Sequence, residues 1–165
     1  LSPYEAHGLR NPCLRLHAFA DMLLERASSP MDRDLAYAVA MVHDLGLLTE
    51  RDEGKNYMQR SAALFRRLLG PRWRGDPATL EVADQCLLYN HRLLPGSWVD
   101  PEVECFRRAV WVEHSLGKKR YGLDQKVVEQ VFARYPRDKW GSVVRDFSRR
   151  VLLSEPLTVV RGIFF

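Results

Sequence analysis

The stretch Leu35-Ala36-Tyr37-Ala38-Val39-Ala40-Met41-Val42-His43-Asp44-Leu45-Gly46 decides the fold. Its apolar residues leave no polar face, and a helix that is apolar almost all round is a buried one. The run ends in an imidazole beside a carboxylate. Burying either group unpaired is costly, so the pair needs a reason. One reason is structural: Asp44 holds His43 by a hydrogen bond and the pair ends the helix. The other is chemical: one nitrogen and two oxygens suit a divalent metal.

Working outward, the punctuation marks further helices. Asn11-Pro12, Ser29-Pro30, Asp76-Pro77 and Asp100-Pro101 each set a capping side chain before a proline, the pattern of a helix start. Gly46, Gly70 and Gly117 fall where helices should stop. The spacing predicts helices near 12–27, 31–45, 57–69, 77–92, 101–116, 124–134 and 138–153, with a short turn after Pro156. No segment alternates with period two long enough for a strand. The fold class is all-α, a single helical domain over residues 1–165.

Composition excludes several function classes. The chain of 165 residues fits one domain with a sizeable core. No run approaches 18 uncharged apolar residues, so no membrane span is expected. The net charge of +4 is mild, and the basic groups are separate: Arg66, Arg67, Arg72 and Arg74; Lys118, Lys119 and Arg120; Arg145, Arg149 and Arg150. Nucleic-acid binding wants a coherent stripe with aromatic platforms, so solvated helix surfaces are expected instead. Cys13, Cys86 and Cys105 share no metal-ligand spacing and read as reduced, buried thiols of a cytoplasmic protein. Ser61 and Ser115 lack a nucleophile elbow, and no glycine-rich phosphate loop is present.

Four stretches together resemble the HD phosphohydrolase superfamily, in particular its small stand-alone members related to cyanamide hydratase. They are Asn11-Pro12-Cys13-Leu14-Arg15, His43-Asp44-Leu45-Gly46, Asn90-His91-Arg92 and Ala109-Val110-Trp111-Val112-Glu113. Tyr135-Pro136, Trp140-Gly141 and Glu155-Pro156-Leu157 resemble the C-terminal helices of those proteins, so the likeness spans about residues 10–160. It implies a helical bundle of about seven helices. It also implies a divalent metal held by a histidine, the His-Asp pair and a final aspartate. This chain departs from that ligand set at both outer positions, where Pro12 and Val110 stand. Neither has a ligating side-chain atom, and two ligands hold a labile metal poorly. Proline in a first helical turn costs little, so the ligand is lost without the helix.

His17 lies five residues after Pro12, roughly 140° round the helix, and is a poor substitute ligand. In the resemblance, His91 and Asn90 occupy slots that touch substrate or a second metal; His91 could equally cap a helix end. An imidazole can give or take a proton near neutral pH, which makes His91 the acid–base candidate. Glu113 and His114 lie three and four residues after Val110, on one helix face, as candidate rescue ligands. Glu113 could instead pair with a basic side chain. Tyr57 would narrow a pocket or simply pack. Arg15, which the resemblance turns inward, would hold Asp44, an anionic ligand group or a structural partner.

The leading expectation is a divergent HD-like protein with a dismantled metal centre and no cofactor. It binds a small polar or anionic molecule between helices, with His43, Asp44 and His91 as catalytic residues and Arg15, Tyr57 and Asn90 contacting the ligand. One competitor is an active metallohydrolase or hydratase using Fe, Mn, Zn or Ni, rebuilt from His43, Asp44, His91 and Glu113 or His114. Another is a structural or interaction protein. No nucleic-acid or membrane partner is expected, and the oligomeric state is open.

Overall fold

The computed structural model describes residues 2–50, 54–96 and 100–137, with Gly141, Ser142, Arg145, Asp146, Arg149 and Leu153. Among these the architecture is all-α. In chain order the helices are α1 (Pro3–Ala6), α2 (Arg10–Arg26), α3 (Arg33–Val42), α4 (Tyr57–Leu69), α5 (Pro77–Tyr89), α6 (Pro101–His114) and α7 (Gln125–Arg134). Short 3-10 turns at Leu45–Leu47 and Gly70–Arg72 follow α3 and α4. The expected helix near 138–153 and the turn after Pro156 lie largely outside the described residues, as do Trp140 and the Glu155-Pro156-Leu157 stretch. No described helix is long and apolar enough to cross a membrane.

The central helix is α2, which packs most extensively on α6 and α3. One apolar cluster draws on every helix from α2 to α7. Phe19, Leu24, Val39, Phe65, Leu87, Phe106, Val110 and Val128 are all within it. Each large apolar side chain so buried contributes about 1.5–3 kcal/mol. Val110, where the resemblance has an aspartate, is core.

The caps explain both the matches and the shifts in helix boundaries. Asp76 Oδ1 accepts from Ala78 N at 2.9 Å with proline next in line, as the sequence predicts. α4 starts at Tyr57 on an Asn56–Gln59 capping box. The α2 start differs. That helix begins at Arg10, so Asn11 is not its cap; its Nδ2 donates to Pro136 O at 2.9 Å. Pro12 is third in the helix, where a missing N–H still costs nothing. Nor does Ser29 cap α3. Asp32 does, accepting from Leu35 N at 2.8 Å, while Ser29 Oγ donates to Glu102.

The end of α3 positions the site. Val42 is its last residue and His43 its C-cap, and Asp44 lies at φ −107°, ψ 0°. That is the sparsely populated bridge region, which active-site residues often occupy. Ser61 of α4 satisfies the groups this turn frees. Its hydroxyl donates to His43 O at 2.8 Å and accepts from Gly46 N at 2.9 Å. Gly46 lets the two segments touch: a Cβ there would lie 2.0 Å from Tyr57 O. The turn that carries His43 and Asp44 is thus locked to the first turn of α4, which carries Tyr57.

Candidate functional site

His43 and Asp44 are both 5% exposed. His43 Nδ1 is 2.7 Å from Ala40 O, and Nε2 is 3.1 Å from Asp44 Oδ2. Both neighbours only accept, so the doubly protonated ring satisfies both. Burial opposes that charge, but the Asp44 carboxylate outweighs it and holds His43 well above the ordinary imidazole range. By the same pairing, Asp44 is held well below the carboxylate range against its own desolvation. The Cys13 thiol lies 4.0 Å from His43 Nδ1 and donates to Met41 O at 3.7 Å.

The second oxygen of Asp44 faces another imidazole. His91 Nε2 lies 3.7 Å from Asp44 Oδ1, beyond hydrogen-bond range, and has no hydrogen-bond partner among the described residues. The neighbouring Asn90 is buried, and its Oδ1 has none either. The His91 ring is flanked on two sides. Tyr57 meets it edge-on, with centroids 5.7 Å apart, and His114 stacks at 5.2 Å with 20° between planes. Trp111 meets His114 edge-on and donates its indole N–H to Arg92 O at 2.9 Å.

His114 is exposed, yet burial by the surrounding protein, aided by the charge of His91, pushes its imidazole down to about 3. Tyr57 is half-buried, and burial together with the Asp44 charge pushes its phenol far up. Asp44 and His43 are buried, and 14% of the His91 side chain is exposed.

Arg15 is engaged elsewhere, with no exposed side-chain surface. Its Nε and Nη2 each lie 2.8 Å from one carboxylate oxygen of Glu113, and Nη1 donates to the carbonyls of Tyr135 and Pro136. For both residues the structural alternative, an ion pair, is the one present. Arg15 does not bond Asp44, because Glu113 takes its fork. Glu113 is not turned towards His43 and Asp44 as a rescue ligand, because both its oxygens are occupied in a buried ion pair. His17 is half-buried and lies edge-on to Tyr37, with ring centroids 5.1 Å apart.

The fit to a divalent metal is poor. Pro12 and Val110 have no ligating atom, and Glu113 is saturated. Among the described residues, no three His, Cys, Asp or Glu side chains form a group that could hold a metal ion. His43, Asp44, His91, Tyr57 and His114 lie close together. The sequence did not single out Ser61 as a positioning residue or Gly46 as a close contact, since both roles rest on pairings between separate helices.

Compared with family models, with curated proteins and with solved structures, the chain matches none.

Proposed function

We propose that this chain is a divergent HD-like protein that has given up the metal centre. It binds a small polar or anionic molecule in a cleft between α3, α4, α5 and α6, and acts on it by metal-free acid–base chemistry. The observation that carries the reading is His91: its Nε2 faces Asp44 Oδ1 at 3.7 Å without a hydrogen-bond partner among the described residues, in a ring that solvent still reaches. When His91 takes a proton from the bound molecule or from water, the Asp44 carboxylate stabilises the imidazolium that forms. Tyr57 and His114 hold the ring plane, and His43 keeps Asp44 ionised. The basic side chains support a small ligand over nucleic acid, since several are already paired: Arg66 with Asp84, and Arg107 and Arg108 with Glu104. Cys13, Cys86 and Cys105 are free and buried, which fits the reducing cytoplasm we assign.

The test compares His91→Ala with Asp44→Ala in thermal melts read beside a small-molecule binding and turnover screen. His91→Ala is expected to melt near the parent and to lose binding or turnover. Asp44→Ala is expected to cost about 1–3 kcal/mol, because it strands the buried His43 donor. Equal destabilisation by both variants, with no ligand found, would leave a purely structural role for His91.

A further inference from the structure

We infer that the groove between the α6–α7 loop and α7 is a binding site of its own, and that it takes an amphipathic carboxylate, an acid group on an alkyl chain. The groove has a volume of about 480 Å³. That is within the range of small-molecule sites. It shares no lining residue with the histidine cluster, so the inference is independent of the acid–base reading. Its apolar lining is Leu116, Val128 and Phe132. Interior groups hold the Phe132 ring. Phe19 packs on it with centroids 5.6 Å apart, and the Arg15 guanidinium lies 5.5 Å from its centre. The ring is therefore fixed before a ligand arrives, and a preorganised surface loses little entropy on binding.

Leu116 and Gly117 both have positive φ, 58° and 75°. Glycine adopts that conformation freely, and a Cβ on Gly117 would lie 2.7 Å from Val128 Cγ1, so the loop closes onto α7 because residue 117 has none. For leucine the conformation is strained, and strain of this kind collects at binding sites. The Leu116 side chain is 51% exposed and lines the groove instead of packing in the core. The charges specify the other end of the ligand. Lys118 and Arg120 line the same groove against one carboxylate, Glu129. Gln125 engages both signs: its Nε2 donates to Glu129 Oε1 at 2.8 Å, and its Oε1 accepts from Arg120 Nη1 at 3.3 Å. Among the described residues neither Lys118 nor Arg120 forms an ion pair, so the groove keeps a net positive charge. Apolar surface beside unpaired cations fits an alkyl chain that ends in an anion. A neutral apolar ligand would leave the cations unused, and a bare anion would leave the leucine and the ring unused.

The experiment titrates octanoate into the full chain at constant ionic strength, read by calorimetry, with intermolecular NOEs to locate the alkyl chain. Octanoate is expected to bind saturably, with NOEs to the Phe132 ring and the Val128 methyls. Octanol, which keeps the chain, should bind about tenfold more weakly, and acetate, which keeps the charge, should not saturate. Lys118→Gln with Arg120→Gln should weaken octanoate about tenfold, as expected for removing two exposed cations. Leu116→Asn tests the strained position, because asparagine tolerates positive φ. It should melt at or above the parent and yet bind octanoate severalfold more weakly. Lys126→Gln, at an exposed lysine of α7 outside the groove, should leave affinity unchanged. No saturable binding by the parent, octanol bound as tightly as octanoate, unchanged affinity in the Lys118 and Arg120 variant, or NOEs to residues elsewhere overturns the site. His91→Ala keeps the two proposals apart. It should bind octanoate as the parent does, and a loss there would place the octanoate at the histidines and overturn the groove.

Discussion

Arg15 and Glu113, 98 residues apart in sequence, meet in a two-pronged ion pair with both contacts at 2.8 Å and almost no exposure of either side chain. Such a pair is costly to break from one side, because the partner stays buried and charged. Arg15→Ala is expected to lower stability by about 3–5 kcal/mol in urea denaturation. Arg15→Met with Glu113→Leu should recover most of that loss, since apolar replacement of both partners is often neutral. A loss below about 1 kcal/mol in the single variant would mean that Glu113 finds water or Arg137 instead.

The His43–Asp44 pair sets a pH window. Asp44 is held below its ordinary value, so its contribution is present above the unfolded value of about 3.9 and is lost as pH falls through the folded one. His43 is held above its ordinary value, so its contribution is complete below about 6.5 and is lost as pH rises through the folded one. The melting-temperature gap between the parent and Asp44→Asn should therefore be widest between about pH 4 and 6.5 and narrow above it. A gap that widens steadily above that range would show that His43 is neutral in the folded protein.

Gly46 and Ser61 should be intolerant for different reasons. Gly46→Ala places a methyl 2.0 Å from Tyr57 O and must push α4 away from Asp44; overpacking of this kind costs about 1–3 kcal/mol or more. Ser61→Ala removes no bulk of consequence but strands the His43 carbonyl and the Gly46 N–H, at about 1–3 kcal/mol for each buried group. Chemical denaturation measures both. A Gly46→Ala protein as stable as the parent would show that the turn and α4 are not in contact.

Elemental analysis of protein purified without chelator is expected to find well under one divalent metal per chain. Val110 is 2% exposed, so Pro12→His with Val110→Asp buries a carboxylate and should melt lower than the parent. Added Mn²⁺ or Fe²⁺ should raise that melting point, because a ligand that binds only the folded state stabilises it. Stoichiometric Fe, Mn, Zn or Ni in the parent would sink the dismantled centre. A double variant indifferent to metal would show that positions 12 and 110 do not face Asp44.

The fold was legible because its signals are local. Asp76-Pro77 and Asp100-Pro101 begin helices where they stand, and the apolar run into His43 is buried as its composition demands. Boundaries slipped where tertiary contacts took over. Asn11 was drawn to Pro136, Ser29 to Glu102, and α3 ended at Val42 rather than running on through Asp44. The site was half legible. An adjacent His-Asp pair and a histidine ending a helix are visible in one dimension. The Arg15–Glu113 pair and the Ser61 bridge depend on which helix faces which, and no local spacing encodes that.

Arg15 has a consequence for the order in which the chain becomes whole. Its acceptors come from positions 113, 135 and 136, all late in the sequence. During synthesis α2 emerges long before any of them, and until they arrive the guanidinium must stay hydrated and α2 cannot seat fully in the core. A late contact is thus written into an earlier helix. A nascent chain stalled before α6 should remain open to protease at α2, and release of α7 should close it.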